Sequence, residues 1–213
     1  MLKLKNLLII GITILISSCG PNTIDYVDDK YAIDESGELF LYEGNPYSGK
    51  VVKYFDTEKT LFNAEVNIKD GIYHGLFLDY FKNGQLKEKG TFKDGEIHGS
   101  YESYYSNGQL DKKGIYKDGN KDGFHEEYFK SGQLDTKTTY KDGEKNGLDE
   151  SYYGNGQLFL KITYKDGKYH GLYEKYHDDE GQLSLKTTYK YGEIHGSYES
   201  YYSNGQLDKK GIY

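Results

Sequence analysis

Glu96-Ile97-His98-Gly99-Ser100-Tyr101-Glu102-Ser103-Tyr104-Tyr105-Ser106-Asn107-Gly108-Gln109-Leu110-Asp111-Lys112-Lys113-Gly114-Ile115-Tyr116-Lys117-Asp118-Gly119 is one unit of a sequence that repeats itself down the chain. The Asn107-Gly108 dipeptide predicts a two-residue type I′ hairpin turn, which requires positive φ at both central residues. Asp118-Gly119 predicts a turn at the opposite end. Across the repeats the segments between turns are rich in Tyr, Phe, Thr and Leu, as strands are, and show no helical period.

The same pattern extends in both directions. The turn glycines Gly71, Gly95, Gly119, Gly143, Gly167 and Gly192 lie 24, 24, 24, 24 and 25 residues apart. A second glycine follows each by four residues, and a third precedes every Gln-Leu pair from Gln85-Leu86 to Gln206-Leu207. The extra residue falls in His177-Asp178-Asp179-Glu180-Gly181. Residues 96–116 and 193–213 are identical, which points to a recent internal duplication. The expected fold is therefore all-β: an elongated, single-layer antiparallel β-meander of tandem 24-residue hairpins. The array is assigned to 45–213, about seven units, the first degenerate and the last truncated at Tyr213. Residues 31–44, with Leu39-Phe40-Leu41-Tyr42, are read as an N-terminal capping strand.

A two-residue turn fixes the register. It predicts Tyr105 opposite Leu110, with Phe81–Leu86, Phe129–Leu134, Tyr153–Leu158, Tyr202–Leu207 and His177–Leu183 as equivalents. It also predicts Gly99 opposite Tyr116, the glycine leaving room for the ring. On the other face Glu102 should oppose Lys113, followed by Glu126–Lys137, Glu150–Lys161, Glu174–Lys186 and Glu199–Lys210. Tyr80, Tyr104, Tyr128, Tyr152, Tyr176 and Tyr201 should form a ladder on that polar face.

Composition excludes several functions. The 213 residues carry a formal charge of −7, 25 Tyr and 27 Gly, and every basic residue is Lys. An acidic, Arg-free chain is poorly suited to nucleic acid or to anionic lipid headgroups. Its one Cys allows no internal disulfide and no Cys-based metal site.

The N-terminus reads as an address. Lys3 and Lys5 precede the apolar run Leu7 to Ile16, then Ser17, Ser18 and Cys19. This is the form of a cleaved secretory signal helix, too short to span a bilayer. Ile16-Ser17-Ser18-Cys19 resembles a bacterial lipobox, which implies that 1–18 is a signal peptide and that Cys19 is acylated. Residues 19–30 then form the acylated Cys19 and an acidic tether. The implied localisation is the cell envelope, lipid-anchored, with outer membrane or cell surface favoured and inner membrane as the other option. More than one acyl chain suffices for stable anchoring.

The unit Gly-x3-Gly-x4-Tyr-Tyr-x-Asn-Gly-Gln-Leu-x2-Lys-x2-Tyr-Lys-Asp-Gly, as in 96–119, resembles the bacterial MORN-repeat variant, over about 45–213. The resemblance implies a β-hairpin array. It also implies a lipoprotein context and, for many members, the label of antitoxin component in a toxin–antitoxin system. Other MORN arrays serve as scaffolds for protein partners or contact membranes.

His74, His98, His170 and His195 share one unit position, held by Asp122 and Asn146 elsewhere. Adjacent units stand ~9.6 Å apart, too far to share one metal, so turn hydrogen bonding is expected and no metal site. Ser103, Ser151 and Ser200 have no repeated His neighbour, and no catalytic residue or cofactor is assigned. A periodic array lacks the singular constellation an enzyme needs, so an envelope hydrolase is the weaker reading. The Tyr ladder from Tyr80 to Tyr201 is the candidate binding strip for an extended ligand, with structural packing as its competing role. The expected function is a membrane-anchored interaction scaffold whose partners are the membrane, through Cys19, and an unidentified protein or extended surface ligand. The alternative is an antitoxin or immunity component that binds a toxin.

Overall fold

Asp94 and Gly95 both sit at positive φ, 52° and 88°, which makes this two-residue connection a type I′ turn. The Asp-Gly pairs at 70–71, 118–119, 142–143 and 166–167 repeat the geometry, as do Glu43-Gly44 and Tyr191-Gly192. The Asn-Gly connections differ. Gly108 has φ 84°, but Asn107 is not in the positive region. The Gly108 N–H donates to the Tyr105 carbonyl and the Tyr105 N–H to the Gln109 carbonyl, both at 2.8 Å. This is a three-residue loop, a type I turn closed by a left-handed glycine. The Asn107 side-chain oxygen accepts the Gln109 N–H at 3.1 Å, stabilising this form over the two-residue turn.

Register follows from the loop. Leu110 stands opposite Tyr104, not Tyr105 as expected, and a bulge at Asp111 then brings Lys112 opposite Ser103. The bulge absorbs the shift, so Lys113 faces Glu102 and Tyr116 faces Gly99 as the sequence predicts. The equivalents shift likewise: Leu86, Leu134, Leu158, Leu183 and Leu207 oppose Tyr80, Tyr128, Tyr152, Tyr176 and Tyr201. The expected pairs to Phe81, Phe129, Tyr153, His177 and Tyr202 do not form.

The computed structural model describes residues 23–25, 31–33, 39–56, 58, 61–177 and 181–213. Residues 1–18 and Cys19, read above as signal and lipid anchor, lie outside the described residues. The strands begin with β1 (Thr23–Asp25), β2 (Tyr31–Ile33), β3 (Phe40–Tyr42), β4 (Asn45–Pro46), β5 (Gly49–Tyr54) and β6 (Phe62–Lys69). They continue with β7 (Ile72–Tyr80), β8 (Leu86–Lys93), β9 (Glu96–Tyr104), β10 (Leu110–Lys117), β11 (Asn120–Tyr128) and β12 (Leu134–Lys141). The last are β13 (Glu144–Tyr152), β14 (Leu158–Lys165), β15 (Lys168–Tyr176), β16 (Leu183–Lys190), β17 (Glu193–Tyr201) and β18 (Leu207–Ile212). One 15-stranded sheet runs β1-β5-β6 and on in chain order to β18. It is a single-layer antiparallel meander apart from one edge.

That edge departs from expectation. Thr23–Asp25, inside the segment read as a tether, pairs parallel to β5 as an edge strand. The strands β2, β3 and β4 do not join the array. They form a separate three-stranded sheet, β2-β3-β4. The reason is apolar: Ile24, Phe40, Tyr47, Val51 and Ile68 form a buried cluster that ties both segments to the first hairpin. The Phe40 N–H donates to Gly71 O and the Gly71 N–H to Tyr47 O, each at 2.7 Å, so β3 docks on the Asp70-Gly71 turn.

Along one face of the sheet, one residue per strand stands opposite the next: Phe77, Gly90, Tyr101, Gly114, His125, Thr138, Asp149, Ile162, Tyr173, Thr187 and Tyr198. Large rings lie over small neighbours. A Cβ on Gly90 would meet the Phe77 ring at 2.6 Å, and one on Gly114 the His125 ring at 2.2 Å. Room for a ring is thus the role of these glycines. Gly99 serves the backbone: its φ is 95°, and an added Cβ would meet Thr91 Oγ1 at 2.7 Å, not the Tyr116 ring.

Candidate interaction surface

The opposite face carries a run of alternating charge. Lys89, Glu102, Lys113, Glu126, Lys137, Glu150, Lys161, Glu174, Lys186, Glu199 and Lys210 each stand directly opposite the next. The sequence shows five of these pairs across hairpins. The structure joins them through the Asp-Gly side into one unbroken ladder. Side-chain contacts include Lys89–Glu102 at 3.0 Å, Lys113–Glu126 at 2.8 Å, Lys137–Glu126 at 3.2 Å and Lys186–Glu174 at 2.9 Å.

The tyrosine strip lies beside this ladder and is bound into it. Tyr104, Tyr128, Tyr152, Tyr176 and Tyr201 each donate their hydroxyl to the glutamate two residues earlier; the last four bonds measure 2.6, 3.2, 3.0 and 2.7 Å. Tyr80 shares the position, but Leu78 replaces the glutamate there. Lys89 and Lys113 also lie over the Tyr104 and Tyr128 rings, 6.0 and 5.7 Å from the centroids. The row is half-buried, so rings and lysine ends are presented while the carboxylates sit beneath.

The electrostatics follow. Burial raises the Glu126 carboxyl, but hydrogen bonds from Lys113, Tyr128 and Lys137 outweigh it and bring it down to about 2. Burial and the Glu174 hydrogen bond push the Tyr176 hydroxyl up to about 12. Glu126 is therefore ionised and the Tyr176 hydroxyl protonated at neutral pH.

The shared His position touches the next turn. His98 Nδ1 lies 3.0 Å from Asp118 Oδ1 and 3.3 Å from the Asp118 backbone nitrogen. Asn146 bonds Asp166 in the same way at 3.1 Å. At His170 the next turn carries Tyr191 in place of Asp, and the buried His170 Nδ1 has no hydrogen-bond partner among the described residues. Among the described residues, no group of three or more His, Cys, Asp or Glu side chains could hold a metal ion. Ser103 and Ser200 bond Asp111 and Asp208 across their own hairpins at 3.2 and 3.1 Å, Ser151 lying at the same strand position.

Two links between units had no reading in the sequence. The glutamine of each Gln-Leu pair packs against the turn glycine of the next unit; Cβ atoms on Gly132 and Gly205 would meet Gln109 and Gln182 at 2.6 Å. Tyr105 and Tyr153 donate their hydroxyls to the carbonyls of Tyr128 and Tyr176 in the next unit, at 2.7 and 2.9 Å. The invariant spacing of Gln behind Gly was the signal for the first. The second alternates with Phe81 and Phe129, which have no hydroxyl to donate.

A flat ladder, a tyrosine row and stacked turns, repeated at each unit, define an open solenoid of β-hairpins. The MORN repeat variant matches residues 73–94, 97–118, 121–142, 145–166 and 194–213. These segments make up half of the chain, and the chain belongs to that family. No curated protein matches it. Among the described residues no helix is long and apolar enough to cross a membrane.

Proposed function

We propose that the chain is an envelope lipoprotein, held by an acylated Cys19, whose repeat sheet is a scaffold for a protein or extended surface ligand. One observation supports this reading above others: the tyrosine–glutamate–lysine unit recurs at the same place on successive hairpins, ~9.6 Å apart. Such a surface engages an extended partner at several units at once, and the weak contacts add through effective concentration. Among the described residues the hairpins carry nearly the same surface side chains, which favours binding along the array over one catalytic centre. The antitoxin reading is a special case in which the partner is a toxin.

Photo-crosslinkers placed at Lys137 and Lys161 on the ladder, with Lys121 on the opposite face as control, test the scaffold in intact cells. One recurring adduct from both ladder positions, absent at Lys121, supports it. Absence of any ladder adduct removes it. A neighbouring gene whose expression is toxic only when this chain is deleted would select the antitoxin case. Cys19→Ser should move the protein out of the membrane fraction; retention there would dispose of the lipid anchor.

A further inference from the structure

The row of rings over small residues is broken at two positions, by a titratable imidazole at His125 and by Asp149 in the next unit, whose carboxylate is held by Thr138 and Lys145. Phe77, Tyr101, Tyr173 and Tyr198 hold the ring position in four units, and His125 holds it in the middle of the array. His125 is 7% exposed. Its Nε2 lies 2.7 Å from the Ile115 carbonyl, which fixes that nitrogen as the donor. Its Nδ1 lies against Gly114, within 2.2 Å of where a Cβ would stand. Tyr116 and Tyr140 meet the ring edge-on at 5.1 and 5.2 Å.

We propose that His125 makes the β10–β11–β12 junction an acid-sensitive joint in the array. The inference is independent of what the sheet binds. The neutral ring fits the pocket: one nitrogen donates to the Ile115 carbonyl, and two tyrosine rings meet the imidazole. A second proton would place a full charge among Tyr116 from β10 and Tyr140 from β12, in a site lined also by Lys112, Lys113 and Lys121 and by Glu126 and Glu127. Asp122 and Glu127 on β11 oppose that cost, but no carboxylate is ion-paired to the ring among the described residues. Burial lowers the imidazole below its ordinary value; the Ile115 hydrogen bond and the two acids only partly offset it, and Lys121 adds to the lowering.

The sign is then fixed. The unfolded chain takes up a proton at a higher pH than the folded site does. Stability from the neutral ring is complete above the unfolded titration point and declines as pH falls below it. In a one-dimensional array each unit is held by its neighbours alone, so the loss is local to β10, β11 and β12. The edges of those strands would become free to pair elsewhere, while the Tyr-over-small junctions keep theirs.

Hydrogen exchange on the full chain at pH 7.5 and 5.5, corrected for intrinsic rates, tests the joint. Protection in β10–β12 should fall about tenfold per unit of pH below the unfolded titration point, and β14–β16 should change little. His125→Tyr, which restores the residue found at Tyr101 and Tyr173, should abolish the difference. Equal losses along the whole array, or a local loss that survives in His125→Tyr, overturn the proposal. His125→Phe gives the same comparison should the Tyr variant not fold, since Phe77 fills that position in another unit. An NMR titration of His125 with a midpoint at or above the ordinary imidazole value overturns it without any variant.

Discussion

Glu126 accepts bonds from two lysines on neighbouring strands and a tyrosine on its own, with a side chain only 14% exposed. Replacing it by Gln removes the charge that all three groups face. Glu126→Gln should cost about 1–2 kcal/mol at pH 7, between the values for exposed and for buried ion pairs. Its folded titration point, about 2, lies below its unfolded one. The stability it supplies is therefore present above the unfolded value and lost as pH falls through the folded one. The gap between wild type and variant, followed by urea denaturation, should narrow as pH drops from about 5 towards about 2. A gap constant over that range would mean that the carboxylate charge is not what the site uses. Gly99 offers a backbone counterpart. Gly99→Ala forces a Cβ into a left-handed conformation at φ 95° and onto Thr91. A loss of about 1–3 kcal/mol is expected, against little change for Ser100→Ala beside it.

At the scale of elements, the strands, their order and the charge pairs were readable because two rules suffice: side chains alternate along a strand, and turn residues punctuate it. Glu102 opposite Lys113 and Gly99 opposite Tyr116 follow from counting back from Asn107-Gly108. The turn itself was misread. Asn-Gly serves both a two-residue turn and a three-residue loop, and the Asn107 side-chain bond to Gln109 favours the longer one here. The error moved Leu110 by one position and went no further, because the bulge at Asp111 cancels it. The parallel edge strand at Thr23–Asp25 was beyond counting: three residues carry no period, and their place is decided by Ile24 entering a cluster formed with residues up to Ile68. Within the candidate surface, the positions of Tyr104 and Tyr128 were readable from alternation, whereas their bonds to Glu102 and Glu126 depend on rotamers. The Tyr191-Gly192 turn gives the test at this scale. Tyr191 holds φ 56° where the turns at 70–71, 94–95, 118–119, 142–143 and 166–167 use Asp, a residue that tolerates the left-handed region better. Tyr191→Asp relieves that strain and returns a carboxylate opposite His170. The melting temperature should rise, by the equivalent of about 0.5–1 kcal/mol, and an unchanged or lower value would show that the exposed Tyr191 ring contributes more than its backbone costs.

For the whole molecule, the question is what a unit is worth. In a globular domain, removing 24 residues destroys a shared core. Here, among the described residues, the apolar cluster of Ile24, Phe40, Tyr47, Val51 and Ile68 sits at one end, and further along each hairpin is buried mainly by its neighbours. The turns give a clean excision. Deleting residues 144–167 joins Asp142-Gly143 to Lys168-Tyr169-His170, so a type I′ turn is followed by the start of β15 as it was by the start of β13. Lys137 and Lys141 on β12 would then face Glu174 and Lys168 in place of Glu150 and Glu144. The ladder pair Lys137–Glu150 is thus replaced by Lys137–Glu174, with the sign pattern intact. Lys141 alone meets a like charge, a cost of a few tenths of a kcal/mol at an exposed turn. The shortened chain should therefore keep its far-ultraviolet spectrum per residue and unfold cooperatively, and small-angle scattering should show it shorter by ~9.6 Å. Deleting only the twelve residues 144–155 would bring Lys137 of the ladder opposite Ile162, a residue of the other face, so that variant should lose structure beyond the junction. If both deletions unfold the chain alike, the hairpins do not act as interchangeable modules, and the sheet's stability is held in common.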